Sequence, residues 1–168
     1  MDFTPGIVSL KGRGDTDILS TLARQLAYYV VLYSPVQMAA DLQENYEASP
    51  VAFGFIKQVP VDWDETRVLS GAIGEAVIVA RKDRKSADWY VGGLTNEAAR
   101  ETAVKLDFLP PGERFTAHIY RDGPTAEAGA KGKDMIHETR VVSRVDVIAL
   151  RMAPGGGFAI RLAASGRR

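Results

Sequence analysis

Hydrophobic positions in this chain change their period about a third of the way along. Before residue 60 they recur at helical spacing, and after it they alternate. Leu19, Leu22, Leu26, Tyr29, Val30 and Tyr33 fall on one helical stripe. Asp15 or Thr16 can cap the helix they predict, which runs to about Tyr33. Its second half, LAYYVVLY, is apolar nearly all round, so it needs cover on several sides and predicts self-association where cover is lacking. Ser34-Pro35 has the order of an N-cap followed by proline at the first helical position. That predicts a second helix carrying Met38, Ala39, Leu42 and Tyr46. A short third helix is expected over 50–59, with Phe53, Phe55 and Ile56 turned inward.

From about Val61 the period is two. Val104, Leu106 and Phe108 alternate with Lys105 and Asp107; Phe115, Ala117 and Ile119 alternate with Thr116, His118 and Tyr120; Phe158, Ile160 and Leu162 alternate with Ala159 and Arg161. Each series is a half-buried strand. Further strands are expected near 64–70, 74–82, 88–94, 135–143 and 145–152, separated by turn signals at 83–88, 110–112, 122–124 and 154–157. The stretch 123–134 reads as a mobile loop, and Gly155-Gly156-Gly157 as a hairpin turn with at least one positive φ. The fold class expected is mostly β: an antiparallel β-sandwich of about eight strands preceded by two or three helices, divided at 1–60 and 61–168.

Charge narrows the range of partners. Lys plus Arg and Asp plus Glu stand at 21 each in 168 residues, so the net charge is zero. Nucleic-acid and membrane-surface binding both need a basic field, and neither is expected. The chain has no cysteine, which removes disulfides and thiolate metal sites without fixing a compartment.

The chemistry-bearing residues are few. Asp62, Asp64 and Glu65 in VDWDET are the densest carboxylates, and Asp41 and Glu44 lie three apart. A glycosidase needs two carboxylates facing each other across a bond, whereas groups three apart on a helix sit on one side of it. VDWDET also lacks the glycine and distal glutamate of a calcium loop. His118 and His137 sit in strand patterns without a nucleophile motif beside them. Trp63, Trp89, Tyr90 and Tyr120 could stack on sugar rings or pack inside. No metal site and no cofactor are expected in this chain.

Seven segments taken in order carry more information: MDFTPG (1–6), SPVQMAADLQENY (34–46), VPVDWDETRVL (59–69), LTNEAARE (94–101), LDFLP (106–110), IYRDG (119–123) and APGGGFAIRL (153–162). Together they resemble the C-terminal part of glycoside hydrolase family 97, which contains α-glucosidases and α-galactosidases. The resemblance implies a parent enzyme with an N-terminal β-sandwich, a (β/α)8 barrel and a C-terminal β-sandwich. This chain would hold the last barrel helices and the final sandwich, a structural or oligomerisation module. Its partner would be the rest of the barrel or a second copy, with carbohydrate as a further ligand. The family's catalytic carboxylates and calcium ligands lie upstream of the MDFTPG-like run, so none is carried onto these residues. Asp2 and Thr4 would border the parent's sugar pocket, and Trp63 and Trp89 are the aromatic substrate-binding candidates. The rival readings are a freestanding carbohydrate-binding module and a complete small hydrolase; the parent itself would be periplasmic or secreted.

Overall fold

The computed structural model describes residues 4–129 and 131–165. Three helices, α1 (Leu22–Val31), α2 (Gln43–Glu47) and α3 (Pro50–Ile56), precede eight strands: β1 (Trp63–Ala72), β2 (Ala76–Asp83), β3 (Trp89–Thr95), β4 (Arg100–Lys105), β5 (Arg114–Asp122), β6 (Met135–Ser143), β7 (Val147–Met152) and β8 (Gly157–Ala164). Eight strands form, as expected, but the fourth lies earlier than its alternation suggests: expected across Val104, Leu106 and Phe108, it runs over Arg100–Lys105. Leu106 and Phe108 follow it into a turn closed by the Leu109 amide on the Leu106 carbonyl, and both side chains remain buried.

Every strand pairing is antiparallel, in a six-stranded sheet of order β1-β2-β3-β8-β5-β6 and a separate β4-β7 ribbon. The ribbon covers one face of the large sheet. Strand β7 shows why: Ile148, Leu150 and Met152 are buried while Val147, Ala149 and Arg151 alternate outward. Those inward residues meet Trp89, Val91, Phe115, Ile119, Phe158 and Ile160 in the larger core.

The helices cover the opposite face. Leu22, Leu26, Tyr29 and Val30 of α1, with Phe55 of α3, pack against Tyr90, Tyr120 and Ala159. The central strand β3 is therefore covered on both sides, and only Leu94 within it is not fully buried. Gly92 makes the helix contact close: a Cβ there would lie 2.9 Å from Val30 Cβ and 3.0 Å from the Ala27 carbonyl oxygen.

The helical region departs from the sequence pattern at its ends. Helix α1 begins at Leu22, not near residue 16, because Thr21 is its cap and accepts a hydrogen bond from the Arg24 amide. Leu19 matches the stripe by spacing alone and lies in solvent. Residues 34–42 form no helix, since side chains take up their backbone groups. The Ser34 hydroxyl donates to the Val36 carbonyl, Gln37 donates to that of Leu32, and the Tyr29 hydroxyl to that of Met38. Every residue of α1 is buried or half-buried, as its apolar circumference demands. The N-terminal segment helps to close it in, with the Gln25 side chain accepting from the Gly6 and Ile7 amides. The stretch read as a mobile loop is tied to its neighbours, Asp134 accepting from the Thr125 amide and hydroxyl.

Candidate functional site

The structure takes the sequence candidates apart. Trp89 and Tyr90 are neighbours in β3 and so face opposite sides of the sheet. Trp89 packs on Phe108 with ring centroids 4.9 Å apart. Trp63 meets Tyr90 edge-on at 5.6 Å on the helix side. All three are buried, so they form no common platform and offer no open ring face to a sugar. Burial pushes the Tyr90 phenol up to about 12, and its hydroxyl donates to the Gln58 carbonyl. Thr4 is half-buried, and Asp2 lies outside the described residues.

The carboxylates of VDWDET diverge to separate cations. Asp62 pairs with Arg84 at 2.8 Å, Asp64 with Lys82 at 2.7 Å and Glu65 with Arg67 at 2.5 Å. They do not fit a shared calcium ion, and among the described residues no group of three acidic or histidine side chains converges on one point. Asp41 lies outside any helix; its carboxylate accepts from the Ser9 and Leu42 amides and from Asn45. These bonds outweigh its partial burial and hold its pKa below the usual range. His118 and His137 stack at 5.9 Å, and His137 stacks on Tyr120 at 4.4 Å. Burial, His137 and Arg161 lower the His118 pKa. The hydroxyl beside the pair is that of Thr139, exposed and 3.4 Å from His118 Nδ1.

What the fold assembles instead is an apolar face. Immediately after α1 the chain runs extended, and Tyr33, Val36, Met38 and Leu42 are 59, 73, 54 and 69% exposed. Three of them rim a cleft of about 600 Å³ that reaches back to Pro5, Val31 and Arg81. Arg81 is itself buried. Its guanidinium donates to the Val31 carbonyl and the Thr66 hydroxyl and lies over the rings of Tyr33 (5.6 Å) and Trp63 (5.7 Å). Burial lowers its pKa, and among the described residues no carboxylate pairs with it within ion-pair distance. Large apolar side chains around a desolvated cation have the character of an interface waiting to be covered.

A second group, missed in the sequence, holds the far end of the molecule. Asp122 is buried at the end of β5, and its Oδ2 accepts from the Ala153 amide at 2.8 Å and the Gly157 amide at 2.9 Å. Burial pushes its carboxyl above the usual range, against the pull of the Thr21 hydroxyl and the two amides. The turn it clamps is 153–157, where Gly155 has a φ of 64°, as the glycine run predicted. The Asp-Gly pair at 122–123 read only as a turn; no local signal marked the carboxylate as a tertiary clamp.

The family profile described as glycosyl-hydrolase 97 C-terminal, oligomerisation, matches residues 62–163. The chain belongs to glycoside hydrolase family 97. The part it holds is the family's C-terminal, non-catalytic oligomerisation module. A retaining alpha-galactosidase of Bacteroides thetaiotaomicron is 36% identical over 96% of this chain and 25% of its own length. A probable retaining alpha-galactosidase of Streptomyces bingchenggensis is 33% identical over 95% of the chain and 23% of its own. Among solved structures, a family 97 enzyme from a Pseudoalteromonas species in complex with acarbose superimposes with a TM-score of 0.92 at 48% identity, over 98% of this chain and 26% of that one. A beta-arabinopyranosidase superimposes with a TM-score of 0.68 at 26% identity, over 89% and 22%. The chain thus spans about a quarter of the length of these relatives. The family profile begins at residue 62, whereas the Pseudoalteromonas match takes in nearly the whole chain, so the helices are shared with the longer enzyme without being part of the C-terminal profile.

Proposed function

We propose that this chain serves a family 97 α-glycosidase as the part that holds the enzyme together, while the bonds are cleaved elsewhere in the protein. The sandwich of residues 61–168 is the module proper, and residues 1–60 are its junction with the catalytic barrel. The observation that carries this reading is the face of Tyr33, Val36, Met38 and Leu42 around buried Arg81. Its apolar residues, 33–42, lie outside the C-terminal profile and Arg81 lies inside it, so the face falls where the barrel would have to meet the sandwich. The barrel would cover the apolar rim and bring a carboxylate or carbonyl to Arg81. Thr4 would then lie on the barrel side, toward the sugar pocket, and calcium would be bound by barrel residues, for which the absence of a converging acidic or histidine group among the described residues leaves room. The names of two relatives favour an α-galactoside as the substrate of the whole enzyme.

The test is a chimera in which this chain replaces the matching quarter of the Pseudoalteromonas enzyme. It is expected to be soluble and to hydrolyse an aryl α-glycoside. Val36→Asp with Met38→Asp should abolish assembly of the chimera while leaving the melting temperature of the isolated chain within a few degrees, because both side chains are exposed there. A chimera indifferent to the double change would refute docking through this face.

A further inference from the structure

We propose that the free edge of β6 pairs with β6 of a second copy of this chain, antiparallel about a two-fold axis at Thr139, so that two six-stranded sheets join into one. This rests on the reading of the chain as an oligomerisation module and supplies the surface.

Strand β6 ends the large sheet and is bonded only to β5. An open edge is a template for another strand, and proteins usually blunt it with bulges, proline or charge. The opposite edge, β1, is blunted. Its pairing with β2 is broken by two register shifts, and Asp64 and Glu65 are tied to cations across or along it. Strand β6 keeps nine residue pairs with β5 in unbroken register, and His137 to Val141 are exposed in succession. It contains no proline.

Its sequence is complementary to itself in one register. A two-fold axis normal to the sheet opposes residues of like parity, because both must point to the same face. Centred on Thr139, the pairing sets Glu138 against Arg140 of the copy, Arg140 against its Glu138, His137 against Val141 and Ile136 against Val142, with Thr139 meeting its own image. Moving the centre one residue back puts Glu138 on Glu138, and moving it one forward puts Arg140 on Arg140. Like charges directly opposite are destabilising, and opposite charges and Thr-Thr pairs are favourable. Glu138 is free to turn outward, since its contact with Arg121 is long, at 3.4 Å, and its side chain is 43% exposed.

Sedimentation velocity at low salt on the 168-residue chain decides between the possibilities. The wild type should dimerise. Glu138→Lys and Arg140→Glu should each weaken the dimer at least tenfold, because each places two like-charge pairs across the axis. The double variant, with the charges exchanged, should recover to within about threefold of the wild type. Circular dichroism confirms folding, and Arg140→Glu leaves the Arg121 contact intact. The native chain has no cysteine, so Thr139→Cys gives an independent readout. Opposed Cβ atoms lie about 5 Å apart and should form an intermolecular disulfide on oxidation, whereas Val141→Cys, facing His137, should not. A monomeric wild type would overturn both this pairing and the oligomerisation reading. A dimer untouched by either charge reversal, or cross-linked equally at 139 and 141, would leave oligomerisation standing and overturn the β6 edge.

Discussion

Replacing Gly92 with alanine tests how the helices sit on the sheet. The added Cβ would lie 2.9 Å from Val30 Cβ, 2.9 Å from Val31 Cγ2 and 3.0 Å from the Ala27 carbonyl oxygen. Carbon atoms in good contact stand about 3.5–4.0 Å apart, so α1 or β3 has to move by roughly half an ångström or more. Two of the three obstacles, a backbone carbonyl and a Cβ, cannot rotate away. Movement of α1 would also loosen Leu26, Tyr29 and Val30, which anchor the smaller core. Overpacking of this kind costs about 1–3 kcal/mol. For a domain of this size that lowers the melting temperature by roughly 2–12 °C, at about 2–4 °C per kcal/mol. Thermal unfolding followed by circular dichroism measures it directly. The control is Gly71→Ala in β1, whose new Cβ would meet only Val68 Cγ1, at 3.8 Å. Equal melting temperatures for the two variants would show that α1 floats on the sheet, and the account of its close seating would fail.

Three other changes probe separate parts of the molecule. Gly155→Val places a β-branched residue at φ 64°, with its Cβ 2.8 Å from Ala128 Cβ, and should destabilise by about 1–3 kcal/mol; an unchanged urea midpoint would show the turn to be unconstrained. Asp122 and Asp41 should respond to pH with opposite signs. The folded pKa of Asp122 is raised, so its stabilisation is full below the ordinary carboxylate value and lost as pH rises through the folded one; that of Asp41 is lowered, so its contribution is present above the ordinary value and lost as pH falls. The melting advantage of wild type over Asp122→Asn should therefore grow from pH 7 to pH 4, and that over Asp41→Asn should shrink; parallel trends would contradict the assignment. Finally, the isolated chain should release no nitrophenol from aryl α-galactosides or α-glucosides, with or without calcium, and turnover abolished by Asp64→Ala or Glu65→Ala would reverse the non-catalytic reading.

The strands were legible because alternation and turn chemistry are local. Ile148, Leu150 and Met152 announce their buried face in the sequence, and Pro154 to Gly157 announce the turn after it. The division of eight strands into six and two was not legible, since pairing such as β3 with β8 joins residues far apart in sequence. The helices were half legible. Leu22, Leu26, Tyr29 and Val30 gave α1 its face, but Ser34, Gln37 and Tyr29 satisfy the following backbone from side chains, and no propensity argument sees that. The same stretch misled about exposure. Met38 and Leu42 at helical spacing look like core, and only the extended path of the chain turns them outward. The paired glycines of β3 did carry a readable signal, since glycine inside a strand often marks a close backbone approach.

The place of β8 bears on how the protein can be made. It is the last strand of the described residues, yet it lies third from one edge of the large sheet, between β3 and β5. A nascent chain emerging from the ribosome cannot complete that sheet until β8 has been synthesised. Until then β1-β2-β3 and β5-β6 exist at most as two partial sheets with an open seam, and the amide of Gly157 that Asp122 holds has not yet appeared. Translation at about 5–20 residues per second leaves this seam exposed for seconds. A nonsense mutation anywhere in β8 should therefore yield aggregated or degraded protein in cells, because the seam between β3 and β5 then never closes. Ribosome-bound intermediates stalled before Gly157 would be the natural clients of a chaperone that binds unpaired strands.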